Sequence, residues 1–248
     1  MINLRSEREI AIIEQAARIS AQALKLAGEF CVEGITTFEI DENIRKFILS
    51  QGAVPNFLNY EGYPASSCIS VNDTIIHGIP SKKIVLKKGD IVSVDVGAEF
   101  EGYNGDNAYT FKVGEVSDKA AQLLEATENA LLRGIEQAVA GNRIGDISNA
   151  IEQALAPFSY GIIREFVGHG VGQRLHESPE IPNYGDPHTG PRLVAGMVLA
   201  IEPMVSLNSP EVSYVGDWEV KTADGGLSAH FEHTVLVTEK GARILTKI

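Results

Sequence analysis

The stretch from Val92 to Asp106 carries the first candidate chemistry: apolar β-forming residues lead into Asp95, a glycine-containing turn follows, and a second carboxylate arrives at Asp106. If the chain folds back between Phe100 and Glu101, the two acids stand directly opposite each other, with Cβ atoms about 5 Å apart on one face. Like charges so placed destabilise a hairpin unless something positive sits between them. Gly102 admits a bulge, which leaves the register open by one residue. Taken alone this pair reads as two solvated turn acids, so a cation site requires donors from elsewhere in the chain.

Such donors occur. His169 lies in Gly168-His169-Gly170-Val171-Gly172, Glu202 ends the apolar run Met197-Val198-Leu199-Ala200-Ile201, and Glu232 sits within Ala229–Val237. Each lies in or at the end of an expected strand, beside small or turn residues. Four acids and one imidazole are too much negative charge to bury together without divalent metal. Carboxylates can bridge two ions, and hydrolytic two-metal sites hold them about 3.5–4 Å apart. An oxygen-rich set with one nitrogen suits Mn, Fe, Co or Zn. A lone histidine at a strand end, such as His77, is more often simply hydrogen-bonded.

The elements that must position these residues follow from periodicity. Ile10, Ile13, Ala17, Ile19, Ala21, Leu24 and Ala27 recur at helical spacing from Ser6 to about Phe30; Ser6 and Glu9 form a capping box, and Gly28 is the expected stop. Thr37 to about Gln51 repeats the plan, with Ile40, Ile44, Phe47 and Ile48 on one face and Gly52 at the end. Turn-rich, aromatic sequence occupies 55–64, then short strands Cys68–Val71 and Thr74–His77 flank an Asn72-Asp73 turn. Helices are expected at about Ser117–Ala140 and Ile144–Ala156, the second stopped by Pro157. Strand-and-loop sequence is expected at Glu165–Gly172 and His176–Pro179, and strands at Met197–Met204 and Ala229–Val237. Gly89–Asp95 and Gly196–Glu202 share a Gly, an apolar run and a carboxylate six residues after the Gly, which suggests a duplicated α+β half.

These motifs resemble the type I methionine aminopeptidases of the pita-bread fold. The matching pieces are Asn59-Tyr60-Glu61-Gly62-Tyr63-Pro64, Cys68-Ile69-Ser70-Val71-Asn72, His77-Gly78-Ile79-Pro80, Asp95-Val96-Gly97, and Gly102-Tyr103-Asn104-Gly105-Asp106. They continue with the Gly168–Gly172 segment, His176-Glu177-Ser178-Pro179, Gly196–Pro203 and Phe231-Glu232-His233-Thr234, in family order over essentially the whole chain. The resemblance implies an α+β pita-bread (creatinase/aminopeptidase) fold and a single catalytic domain over 1–248. Its pseudo-equivalent halves, near 1–113 and 114–248, would enclose a central dinuclear metal site.

By that resemblance Asp95 chelates one of two divalent ions (Co, Mn, Fe or Zn), Asp106 and Glu232 bridge both, and His169 and Glu202 complete the other. Glu202 also shuttles the proton of the nucleophilic water, His176 stabilises the oxyanion, and His77 hydrogen-bonds substrate near the scissile amide. The methionine side chain is expected in a slot of Phe57, Tyr60, Tyr63, Cys68, Leu175 and Trp218, where sulfur meets aromatic edges. Ordinary core packing is the competing reading for Phe57 and Leu175. The implied reaction is removal of initiator methionine before a small second residue, by metal-hydroxide attack on the first peptide bond. The chain departs from the family pattern at Glu61, Asn104 and Asn107, none of them a ligand. His230 and His233 flank Glu232, but a strand turns immediate neighbours to opposite faces. His233 is therefore expected to pack or support from outside the metal shell, and His188 to lie in a surface loop.

Composition sets the class. A formal net charge of −12, with no Lys/Arg cluster, argues against nucleic acid as a ligand. Cys31 and Cys68 form neither a disulfide framework nor a zinc-finger spacing, and no signal peptide or spanning segment is evident. The expected protein is cytoplasmic and monomeric, with nascent polypeptide N-termini beginning with Met as partners, the ribosome as a candidate contact, and neither DNA nor membrane. Proline-specific relatives of the same fold, prolidase and aminopeptidase P, are the nearest rival; they carry a large N-terminal domain, and the Tyr60/Tyr63 loop fits the methionine enzyme better. Type II methionine aminopeptidases carry a long insertion between the segments matching His169 and Glu202, and the interval here is short. A non-catalytic peptide- or protein-binding module is the rival of another class, and would be expected to lose ligands.

Overall fold

A computed structural model describes residues 2–247. Two helices, α1 (Glu7–Phe30) and α2 (Thr37–Ser50), precede β1 (Val54–Pro55), a 3₁₀ turn at Tyr60–Gly62, and strands β2 (Cys68–Val71), β3 (Thr74–Ile76), β4 (Ile91–Phe100) and β5 (Tyr103–Lys112). Helices α3 (Asp118–Glu136) and α4 (Ile144–Leu155) then lead into β6 (Gly161–Ile162), β7 (Gly168–Gly170), β8 (Glu177–Ile181), β9 (Val198–Ile201) and β10 (Met204–Ser206). The chain closes with β11 (Val212–Val215), β12 (Glu219–Thr222), β13 (Ser228–His230), β14 (Glu232–Thr238) and β15 (Gly241–Ile244).

The nine-stranded antiparallel sheet runs β1-β4-β5-β14-β9-β7-β8, with β2 also on β4 and β15 also on β14. Three-stranded sheets β13-β10-β6 and β11-β12-β3 accompany it. Two pairs of helices cover the large sheet, α1 and α2 at β4 and α3 and α4 at β9 and β14. Val92, Val94, Val96 and Ala98 of β4 pack on Ile19, Ala23 and Ala27 of α1 and Ile40, Ile44 and Ile48 of α2. Leu199, Ile201, Val235 and Val237 pack on Leu123 and Leu131 of α3 and Ile147 and Ile151 of α4. Burying an aliphatic side chain of this size contributes about 1.5–3 kcal/mol, so alternate residues of the central strands are committed to the helices. The intervening residues face the other way, where the candidate site lies.

Several expectations change in detail. The β4–β5 hairpin turns at Glu101-Gly102, with φ of +50° and +80°, a primed two-residue turn. Phe100 therefore pairs with Tyr103, Asp95 with Ala108, and Asp106 with Gly97, so the acids are diagonal rather than opposed. The slip is two residues, which preserves the shared face. Gly28 does not stop α1, which runs to Phe30; a Cβ there would lie 2.4 Å from Phe111 Cε1, so this glycine lets α1 approach the sheet. Gly105 does the same more strictly, because its Cβ would meet the backbone of Ala17 at 2.3 Å. The third helix ends at Glu136 rather than Ala140. The strand-and-loop run Glu165–Gly172 has its strand at Gly168–Gly170. The expected strands Met197–Met204 and Ala229–Val237 each break in the middle, at Glu202-Pro203 and Phe231, where the chain passes between the large sheet and the β13-β10-β6 sheet.

The capping box of α1 is present: Glu9 N donates to Ser6 Oγ, while the Glu9 carboxylate accepts from Ser6 N and Ser6 Oγ. Tyr103 of β5 also donates to Glu9, at 2.9 Å. The Ser6 hydroxyl, then the Ser6 amide and the Tyr103 hydroxyl, hold the Glu9 carboxyl down at about 2, against an ordinary 4.5. A depressed carboxyl stabilises the fold fully above its unfolded value and loses that contribution as pH falls through the folded one. Ser6→Ala is expected to cost about 1 kcal/mol at pH 7. Glu9→Gln should narrow its stability deficit against the parent as pH falls from 5 toward 2. A deficit constant across that range, followed by urea unfolding, would remove the capping role.

Candidate metal and peptide site

Register explains how distant residues reach one face. Residues paired across antiparallel strands share a face, and alternate residues along a strand repeat it. Cys68 pairs with Asp95, Asp95 with Ala108, and Ala108 with Glu232, so one row crosses four strands. Asp106 and Thr234 lie two residues further along β5 and β14. Thr234 pairs with Ala200, and Ala200 with His169. Glu202 follows Ala200 by two. All five expected ligands are thus brought to one face of the sheet, and Gly97 beside them makes room for the Asn56 side chain, which a Cβ there would meet at 2.0 Å. Thr234 fixes Asp106 in place: its hydroxyl accepts from the Asp106 amide at 3.0 Å and donates to the Asp106 carbonyl at 2.6 Å.

The His169 ring is oriented by Nδ1, which donates to the Gly170 carbonyl at 2.9 Å. Nε2 then carries the lone pair toward Glu202 Oε1 at 3.4 Å and Asp106 Oδ2 at 3.9 Å. Burial holds this imidazole neutral, pushing its pKa down to about 3. Burial first, and then Asp106 and Glu202, raise Asp95; burial with neighbouring acids also raises Glu202 and Glu232, and burial lifts Asp106 to about 7. Asp95 Oδ1, Asp106 Oδ1 and Glu232 Oε1 are buried without hydrogen-bond partners. Among the described residues, the ion-pair partners of this cluster are histidines alone. One donor atom each from Asp106, His169 and Glu232 lie within 4.8 Å of one another, as do atoms of Glu202, His230 and Glu232. Donors around one ion at bond lengths near 2.0–2.2 Å span at most about 4.4 Å. Orphaned oxygens, a correctly presented nitrogen and this spacing fit divalent metal.

Beside these acids is a cavity of about 140 Å³. Its wall includes all thirteen residues singled out from sequence: the five ligands, His77, His176, and the apolar set Phe57, Tyr60, Tyr63, Cys68, Leu175 and Trp218. The apolar residues form a small cluster of their own, joined by Ala65 and Ile79, neither of them expected in the slot. Tyr63 and Trp218 meet edge to face at 5.2 Å, and the Tyr63 hydroxyl donates to the carbonyls of Ser67 and Gly78. Phe57 and Leu175 are buried in this cluster, apart from the cores under the helices. Trp218 is half-buried.

His77 follows β3 with φ of +59°, in the left-handed region, and its ring stands edge-on to Phe166 and Trp218. The next residue must be glycine-like, because a Cβ at Gly78 would sit 2.3 Å from the Ile69 carbonyl oxygen. Burial, aided by His176, pushes the His77 pKa down to about 4. His176 lies in the loop before β8, 4.3 Å from the His169 ring between centroids, and the Tyr60 hydroxyl is 2.8 Å from its Nδ1. With Tyr60 donating, His176 Nε2 keeps its proton and is a hydrogen-bond donor. The adjacent Glu177 is an anchor: it accepts from Asn3, Arg5 and the Arg174 amide, pinning the loop to the N-terminal segment.

Cavity residues not singled out as site residues are Glu61, Ile76 and His230. The i, i+2 relation of His230 to Glu232 is the signal that could have found it. His233 turns to the other side and hydrogen-bonds Thr246 at 2.8 Å, and His188 is exposed beside Asp146. Asn104 donates to the Gly172 and Gln173 carbonyls, tying β5 to the segment before His176, and Asn107 accepts from Ser20 of α1 on the helix side.

The description "Metallopeptidase family M24" matches residues 11–239. The chain belongs to metallopeptidase family M24. It is 47% identical over 249 residues to methionine aminopeptidase 1 of Bacillus subtilis, covering 100% of both chains. It is likewise 47% identical over 247 residues to a methionine aminopeptidase of Clostridium acetobutylicum, covering 99% of each. The crystal structure of methionine aminopeptidase from Thermotoga maritima superposes with a TM-score of 0.98 at 42% identity, covering 100% of both chains. A prolidase from Pyrococcus horikoshii superposes at 0.78 with 27% identity, over 98% of this chain and 63% of that one. The M24 architecture is the α+β pita-bread fold with its curled antiparallel sheet.

The raised carboxyl pKa values describe a metal-free site that holds protons near neutrality. Loading the metal-free protein with Mn²⁺ or Co²⁺ at pH 7 should therefore release protons and raise Tm. Calorimetric titration in buffers of differing ionisation enthalpy measures the release; a buffer-independent heat would contradict it.

Proposed function

We propose that this M24 peptidase removes initiator methionine from polypeptides whose second residue is small. The observation that carries this reading is the shared row of Cys68 and Asp95: the floor of an apolar, aromatic-lined slot lies against the carboxylate cluster. A side chain seated between Tyr63, Cys68 and Trp218 brings the bond that follows it to the acids. An unbranched thioether suits a slot of this volume with aromatic edges. Full-length identity to proteins named methionine aminopeptidase supports the same activity.

Asp95, Asp106, His169, Glu202 and Glu232 would hold two divalent ions, of Co, Mn, Fe or Zn. Such ions polarise the scissile carbonyl and make water nucleophilic near neutral pH. The chain supplies the rest. Glu202 accepts the proton of the attacking water and returns it to the leaving nitrogen. His176 donates from Nε2 to the oxygen that becomes anionic, with Tyr60 setting its tautomer. His77, held neutral by burial, hydrogen-bonds the peptide at the cavity mouth. The whole chain, 1–248, acts as one catalytic unit; two halves near 1–113 and 114–248 are supported by the runs starting at Gly89 and Gly196, with φ of +96° and +95°. Nascent chains in the cytoplasm are the substrates, in keeping with two unpaired buried cysteines and, among the described residues, no helix long and apolar enough to cross a membrane.

Met-Ala-Ser should be cleaved to free methionine, with activity lost to chelation and restored by metal. Ala-Pro and X-Pro peptides should be left intact; release from those and not from Met-Ala-Ser would assign the proline-specific reaction instead. Glu202→Ala is expected to abolish turnover in a folded protein. His176→Ala should lower kcat about 10²-fold or more, the scale of a lost oxyanion donor. A change in KM alone would remove that role from His176.

A further inference from the structure

His230 is 2% exposed, and its Nε2 has no hydrogen-bond partner. The ring is held by its backbone. The Thr110 hydroxyl accepts from the His230 amide at 2.9 Å and donates to the His230 carbonyl at 2.8 Å, while Met204 pairs with it across β10 and β13. Nε2 stands 3.5 Å from Glu202 Oε2, without hydrogen-bond geometry, and the ring lines the cavity that contains the acids. A buried imidazole nitrogen fixed in place and left without a partner is poised for a ligand that takes a lone pair.

We propose that His230 is a sixth protein ligand of the metal centre, its Nε2 joining Glu202 and Glu232 around one ion. The donor set then divides into two overlapping triads, Asp106–His169–Glu232 and Glu202–His230–Glu232, each compact enough to surround a cation. Glu232 is common to both, and each triad has one imidazole. Glu202 lies between the two rings, with Oε1 toward His169 and Oε2 toward His230. A nitrogen for each ion shifts both positions toward metals that favour imidazole and away from Mg or Ca. The inference rests on the reading of the acid cluster as a divalent-metal centre and extends its ligand set from five residues to six. The competing role is a positioning one, in which His230 merely donates a hydrogen bond to Glu202.

The test uses the full chain, labelled with ¹⁵N-histidine and loaded with ¹¹³Cd²⁺. Direct ligation splits Nε2 of both His169 and His230 by coupling to cadmium, and His230→Gln assigns the second signal by its loss. Splitting at His169 alone would overturn the proposal while leaving the metal-centre reading intact. No cadmium binding at all would overturn both. In calorimetric titration with Co²⁺, His230→Gln should weaken one of two binding steps by at least about tenfold, the scale of loss when even an outer partner of a metal site is removed. Two unchanged steps in a folded variant would overturn the ligand role. The wild-type spectrum decides the matter if His230→Gln does not fold.

Discussion

Four carboxyl groups facing one cavity repel one another and have left bulk water, and the rest of the molecule is arranged to tolerate that. Asp106 and Glu232 are 3% and 2% exposed, and three carboxylate oxygens in the cluster have no partner. Without a cation such a group of acids stays folded only by holding protons. The surroundings therefore have to be rigid enough to keep the donors converged. Helices α1 and α2 clamp the β4–β5 hairpin from behind, and Gly105 and Gly28 let α1 settle close to it. Helices α3 and α4 support β9 and β14 in the same way. Ala108 pairs with both Asp95 and Glu232, and Ala200 with His169, so small residues separate the donors along the sheet.

The peptide-facing groups are mounted differently. The proposed metal donors come from the central sheet or the breaks at its strand ends, whereas His77, His176 and Tyr60 come from loops. Asn59, Glu61 and His77 all have positive φ, a conformation that costs of order 1–3 kcal/mol when the residue is not glycine. That cost is met by what holds each loop: Glu177 with Arg5 and Asn3 behind His176, and Tyr63 with its two carbonyl acceptors behind the aromatic segment. A rigid acid cluster and separately anchored loops let substrate contacts change without moving the donors. The likeness to prolidases at a TM-score of 0.78, and to methionine aminopeptidases at 0.98, is in keeping with one scaffold carrying different pockets.

Much of the site was legible before the structure, for identifiable reasons. Capping chemistry marked the start of α1, and the alternation of β4 separated the helix-facing valines from Asp95. The motifs in family order named the expected donors and the aromatic slot. Errors came where a local signal was outweighed by packing. Gly28 reads as a stop, but Phe111 needs the space its missing Cβ leaves. The runs through Glu202 and Phe231 read as continuous strands, but the chain changes sheets there.

The order of residues by itself determined which chemistry was present: an acid-rich, nitrogen-poor donor set, an apolar aromatic loop, and strands and helices of definite period. Those properties are local, set by side-chain type and by backbone propensity over a few residues. Only the tertiary structure decided that Asp95 lies opposite Ala108, that Glu202 and Glu232 stand at two sheet crossings, and that His230 turns into the cavity with them. Register and sheet switching depend on contacts between segments far apart in the chain. No local pattern carries that information, because the same alternation is satisfied by any pairing shifted by two residues.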